Sequence, residues 1–91
     1  MAGIYICESV NIVDNNFTAD SRNKDGKRVV MFDARRALEL YLFTSHILQI
    51  EAVVDSSNAA ERGVMTMSSG IRYITARGAA AICGDLAKQA A

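Results

Sequence analysis

Between Ile4 and Val13 the chain alternates. Ile4, Ile6, Val10 and Ile12 fall on one face and Tyr5, Cys7, Ser9 and Asn11 on the other, the pattern of a strand. Glu8 interrupts the apolar face. That fits a bulge, a strand end where the carboxylate reaches water, or a functional carboxylate at a sheet rim. Asp14 to Arg28 is rich in Asp, Asn, Ser and Lys without useful periodicity. It predicts a mobile segment ending in a turn at Asp25-Gly26, a type I′ hairpin signal. Phe17 is the exception there, an aromatic that either tucks onto the core or anchors a partner.

Val29 to Val54 predicts the centre of the fold. Val29 to Phe32 reads as a short strand. Asp33 then holds an N-cap position before Ala-Arg-Arg-Ala-Leu-Glu, a run of strong helix formers. Leu38, Tyr41 and Leu42 make one helical face, which Leu40 and Phe43 widen. The alternation of Leu38, Leu40 and Leu42 also suits a strand, but composition and cap tip the reading to helix. From His46 to Val54 the period is two, with Leu48, Ile50, Ala52 and Val54 on one face, and predicts a mid-sheet strand.

Asp55 to Gly63 is a loop by composition. Val64 to Met67 and Ile71 to Ile74 read as short strands around a tight Ser68-Ser69-Gly70 turn. Thr75 caps a final helix from Ala76 to about Ala90, with an apolar stripe of Ala79, Ile82, Cys83, Leu86 and Ala90. Ala80, Gly84 and Ala87 form an adjoining strip of small side chains suited to close approach. The order β-β-α-β-β-β-α predicts one α+β domain over residues 1–91. Its antiparallel sheet has four to five strands, with two helices packed on one face.

Composition adds a bias toward association. The chain has 91 residues and is 51% hydrophobic, high for a domain with so much surface for its volume. Some apolar surface should remain for a partner or a second copy. Ten basic and ten acidic side chains cancel, which argues against a dedicated non-specific nucleic-acid binder. Cys7 and Cys83 fit no metal or redox spacing, the start lacks a basic n-region, and no apolar run is long enough to span a bilayer. A soluble, reduced, cytoplasmic protein is expected.

Candidate chemistry is sparse. His46 is the lone histidine and no Gly-x-Ser-x-Gly elbow occurs. The acidic residues and six glycines are scattered, so neither a metal site nor a phosphate loop is expected. Glu39 and Glu51 have nothing in the sequence to fix their separation. The expectation is a non-enzymatic protein without cofactor. Charge is uneven in one place: Arg22, Lys24, Lys27, Arg28, Arg35 and Arg36 hold six of the ten basic residues, offset there only by Asp25 and Asp33. With Phe17 they are the candidate partner-binding residues, able to meet phosphates or an acidic protein surface. Arg35 and Arg36 would oppose the dipole of the expected helix, which hints at a compensating acidic contact.

The layout resembles the small proteins that phages and mobile elements use to inhibit bacterial CRISPR immunity. The likeness lies in the early strand (Tyr5-Ile6, Glu8, Asn11-Ile12), the Ala-Arg-Arg-Ala start, the Leu48 and Ile50 strand, and the closing hairpin. It covers residues 4 to 74 and is similar in layout to a compact inhibitor of the type I surveillance complex. The long loop at Asp14 to Arg28 and the terminal helix depart from it. The resemblance implies a protein with no chemistry of its own that binds the RNA-guided complex and blocks DNA recruitment. It brings no functional residue with it. Two other functions fit the residues: a small nucleic-acid-binding or regulatory protein using the Arg22–Arg36 cluster, or a homodimeric structural protein joined through the terminal helix or an edge strand.

Overall fold

The computed structural model describes residues 3–12 and 17–90, with side chains for 3–12 and 22–89. Seven strands and one α-helix follow in order: β1 (Ile4–Asn11), β2 (Phe17–Arg22), β3 (Arg28–Val30), β4 (Leu38–Phe43), β5 (Ile47–Asp55), β6 (Glu61–Met67), β7 (Arg72–Thr75) and α1 (Ala79–Ala90). They form one sheet in the order β2-β3-β5-β6-β7-β1-β4. Every neighbouring pair is antiparallel except β3 and β5.

This corrects the expected architecture. The sheet has seven strands rather than four or five, it is mixed rather than antiparallel, and a single helix covers it rather than two. The parallel pair arises because the chain leaves β3, builds β4 on the far edge of the sheet, and returns to lay β5 beside β3 in the same direction. Such a pair needs a long connection, and β4 lies within it.

The missing helix is the Leu-rich stretch after Asp33. The cap itself is real, since Asp33 Oδ1 accepts the Arg35 N–H at 3.0 Å. The helix stops after one 3₁₀ turn, Ala34–Arg36, and Leu38–Phe43 runs as a strand. Six successive pairings with β1, from Ser9 opposite Leu38 to Ile4 opposite Phe43, supply main-chain partners that a short isolated helix would lack. Alternating Leu with Tyr41 and Phe43 suits that pleated ribbon.

The core has two layers. On one face α1 lays Ile82 and Leu86 against Tyr5, Cys7 and Met65, with Leu42, Ile47 and Ile50 around them. Ile82 is fully buried, worth roughly 2 kcal/mol of apolar burial. The helix comes this close because β6 carries Gly63, where a Cβ would stand 2.7 Å from Ile82 Cδ1 and 3.2 Å from Ala79 Cα. The expected small strip lies elsewhere: Ala80, Gly84 and Ala87 face solvent. On the other face Val10, Val30, Val53, Val64 and Ile74 pack together. Phe32 and Ala37, from the connection between β3 and β4, close over them.

Several local expectations shift. Thr75 ends β7 instead of capping a helix, and its buried hydroxyl donates within hydrogen-bond range of the Gly63 and Arg77 carbonyls at 3.1 and 2.8 Å. The helix begins three residues past the expected start. Asp14 lies outside the described residues, but the stretch expected to be irregular contains β2. The Asp25-Gly26 turn does join two strands. It is not type I′, because only Gly26 takes a positive φ (83°); Asn23 Oδ1 holds the loop by accepting the Asp25 and Lys27 N–H groups. The Ser68-Ser69-Gly70 hairpin stands as expected, with Gly70 at φ 89°. β5 lies inside the sheet, but a register shift near Leu48 breaks its alternation and it buries Val53 and Asp55. No described helix is long and apolar enough to cross a membrane.

Candidate protein-binding face

From Ile4 to Ser9, β1 buries the face opposite to the one its sequence suggests, while Val10 is buried and Ile12 packs against the core as expected. Tyr5, Cys7 and Ser9 turn toward α1 and are buried, while Ile4, Ile6 and Glu8 point the other way into solvent. Directly opposite residues of an antiparallel pair share a face. Ile4 therefore stands beside Phe43, Ile6 beside Tyr41 and Glu8 beside Glu39. The four apolar members are exposed by 49%, 58%, 52% and 63% in that order of pairing. With one bulky residue from each strand at two successive rungs, they form a contiguous apolar strip on a 91-residue chain. A strip of that kind is characteristic of an interaction surface.

The two ends of the strip differ in polarity. At one end Glu8 and Glu39 face each other, a like-charge rung that costs stability. The Tyr41 hydroxyl donates to Glu39 Oε1 at 3.1 Å, and that bond lifts the Tyr41 phenol above its ordinary pKa. At the other end Phe43 packs edge-on against His46, with centroids 6.4 Å apart, and His46 Nδ1 shares a hydrogen bond with Ser68 Oγ at 3.0 Å. Glu8 needs no bulge: β1 and β4 stay in register past it.

The strand bearing this strip is pinned from behind. Tyr5 donates its hydroxyl to Asp85 Oδ2 at 2.7 Å, and Arg77 Nε meets the same oxygen at 2.9 Å. Burial first, then the Asp85 contact, pushes the Tyr5 phenol up to about 12, and the Tyr5 hydrogen bond holds the Asp85 carboxyl below its usual range. Gln89 adds an amide donor to the Ile4 carbonyl at 3.0 Å. The helix thus holds the start of β1 through two adjacent residues, Ile4 and Tyr5.

Arg22, Lys24, Lys27 and Arg28 lie along the β2–β3 hairpin and Arg35 and Arg36 in the turn before β4. Lys27 pairs with Glu61 at 3.7 Å, Arg28 with Glu51 at 3.0 Å and Arg35 with Asp33 at 3.3 Å. Lys24 and Lys27 line a depression of about 450 Å³ together with Asp25, Asp55 and Glu61, a wall of mixed sign. Arg36 lines a separate cleft of about 330 Å³ with Ser9, Leu38, Leu40 and Tyr73. Arg22 is exposed and sits across the β2–β3 pair from Arg28. The Phe17 side chain lies outside the described residues. Among the described residues no group of three or more His, Cys, Asp or Glu is placed to hold a metal ion.

Sequence reasoning passed over Ile4, Ile6, Tyr41 and Phe43. Part of the signal was present in β4, which carries apolar residues on both faces, Leu38, Leu40 and Leu42 on one and Tyr41 and Phe43 on the other. No family model matches the chain, and no curated protein or solved structure matches it.

Proposed function

We propose that this chain is a non-enzymatic protein-binding module that docks through the exposed strip of β1 and β4. The observation carrying the reading is the pair of apolar rungs, Ile4 with Phe43 and Ile6 with Tyr41, left uncovered on a strand whose other face is firmly anchored. Tyr41 and Phe43 are each oriented by a neighbour, Glu39 and His46, and aromatic side chains held in place lose less freedom on binding. The partner follows the sequence resemblance: a host protein complex in the bacterial cytoplasm, the type I CRISPR surveillance complex, whose DNA recruitment a bound inhibitor would block. The in-chain ion pairs of Lys27 and Arg28 weigh against the nucleic-acid reading.

Binding of the chain to purified, nuclease-treated type I surveillance complex tests this. The expected result is a complex that survives nuclease treatment and is lost in Ile6→Lys, whose folded state is checked by circular dichroism. Unchanged binding by Ile6→Lys rules out the strip as the docking face. No binding by the parent chain rules out this partner.

A further inference from the structure

We infer that the free edge of β4 pairs with β4 of a second copy of this chain, antiparallel and with Tyr41 on the two-fold axis. The inference rests on reading the β1–β4 pair as a binding element and names the partner of its edge.

The main chain dictates the register. In an antiparallel pair, residues alternate between those that bond the neighbouring strand and those that point away. Thr44 donates its N–H to the Gly3 carbonyl at 2.9 Å, which fixes the bonded rungs as Gly3 with Thr44, Tyr5 with Leu42, Cys7 with Leu40 and Ser9 with Leu38. The other side of β1 agrees, since Ala76 donates to Glu8 and Ile12 donates to Arg72. Glu39, Tyr41 and Phe43 therefore aim their N–H and C=O groups outward, along an edge that no other strand covers among the described residues.

A copy related by a two-fold axis through Tyr41 meets all three of these residues. Tyr41 faces Tyr41 of the copy, and Glu39 faces Phe43 in both directions, giving about six main-chain hydrogen bonds. Glu39 never faces its own counterpart, so no like-charge rung forms. On the opposite face Leu40 comes opposite Leu42 of the copy, beside Leu38, which is 66% exposed in the single chain. The strand is thus complementary to itself, as a two-fold interface requires.

Among the described residues the edge also lacks protection. Sheet edges are normally blunted by Lys, Pro, bulges or covering loops. β4 has no Lys or Pro and keeps an unbroken register with β1. The opposite edge, β2, does carry such devices: a register shift between Phe17 and Arg22, and Arg22 across from Arg28. Five rungs form a small interface, so the dimer is micromolar rather than nanomolar. Pairing joins the two apolar strips into one continuous face across the axis, which enlarges the surface offered to a further partner.

Sedimentation velocity of the full chain from about 10 µM to about 1 mM tests this, in the absence of any other protein. The expected result is a shift from 9.8 kDa to twice that mass within the range. Tyr41→Lys places two cations on the axis and should weaken the dimer at least about tenfold. Phe43→Lys places each new cation opposite Glu39 of the copy and should leave the dimer as tight as the parent's or tighter. Amide exchange reads the same register without a substitution. The N–H groups of Glu39, Tyr41 and Phe43 should slow as concentration rises, while those of Leu40 and Leu42 are protected throughout. A monomer over the whole range, equal dimerisation by Tyr41→Lys, dissociation by Phe43→Lys, or exchange at the three amides that ignores concentration would each overturn the proposal. Ile6→Lys should dimerise normally, so loss of the CRISPR complex and loss of the dimer are told apart.

Discussion

Arg62 grips Asp55 with two nitrogens, Nε at 3.2 Å and Nη2 at 3.1 Å, both on Oδ2. Ser57 fills the other carboxylate oxygen with its N–H and hydroxyl at 2.9 and 2.7 Å. The guanidinium also donates to the Ala76 carbonyl and lies 4.7 Å over the Phe32 ring. One buried carboxylate therefore fixes the β5–β6 turn, the residue that follows β7 and the aromatic lid on the core.

Asp55→Asn should leave Arg62 without its counter-charge in a mostly buried setting. The expected loss is about 3 kcal/mol, read as a lower midpoint in urea unfolding with an unchanged slope.

The same carboxylate sets an acid limit. Burial alone would raise its pKa, but the Ser57 and Arg62 hydrogen bonds outweigh burial and hold it below the usual range. A depressed folded pKa gives stability that is present above about pH 4 and is lost as pH falls through the folded value. Thermal melts between neutral and strongly acid pH should show this drop, and Asp55→Asn should show less of it.

Tyr5 sets the corresponding alkaline limit. Its phenol ionises at about 12, above the ordinary value near 10. Stability from this contact is complete below about pH 10 and disappears as pH rises through the folded value. Absorbance at the phenolate band should reveal a tyrosine ionising at about 12, distinct from Tyr41, whose phenol is also raised, and Tyr5→Phe should remove it.

Gly63→Ala should destabilise by about 1 to 3 kcal/mol, because the new methyl meets Ile82 and the backbone of Ala79 together. Gly84→Ala, with nothing within 4 Å, should instead stabilise the helix slightly. Paired thermal melts of the two variants separate packing from propensity.

On the exposed face, Glu8→Lys converts a repulsive rung into an attractive one opposite Glu39. A gain of about 0.5 kcal/mol is expected, shrinking in high salt.

The sequence announced those elements whose neighbours are local. The hairpin at Ser68-Ser69-Gly70, the cap at Asp33 and the apolar side of the last helix around Ile82 and Leu86 all depend on residues close in the chain. It failed where a distant strand decided the outcome. Leu38–Phe43 is locally as good a helix as a strand, and only β1, thirty-odd positions earlier, settles which it becomes. The buried side of β1 was equally hidden. Tyr5 and Cys7 look more polar than Ile4 and Ile6, but α1 covers the former pair, packing Ile82 and Leu86 there and giving the Tyr5 hydroxyl an acceptor in Asp85. The exposure of Ile4, Ile6, Tyr41 and Phe43 is hidden for the same reason, since it is a property of the assembled sheet.

The placement of β1 between β7 and β4 has a consequence for the order of assembly. The β5–β6–β7 meander can form from contiguous chain as it emerges in synthesis, but β1 completes its pairing with β7 only once Arg72–Thr75 exists. Closing that long loop is slow compared with local hairpin formation. Ser9, Val10 and Asn11 are thus among the last residues of β1 to gain their partners, whereas Ile4 and Ile6 can pair with β4 beforehand.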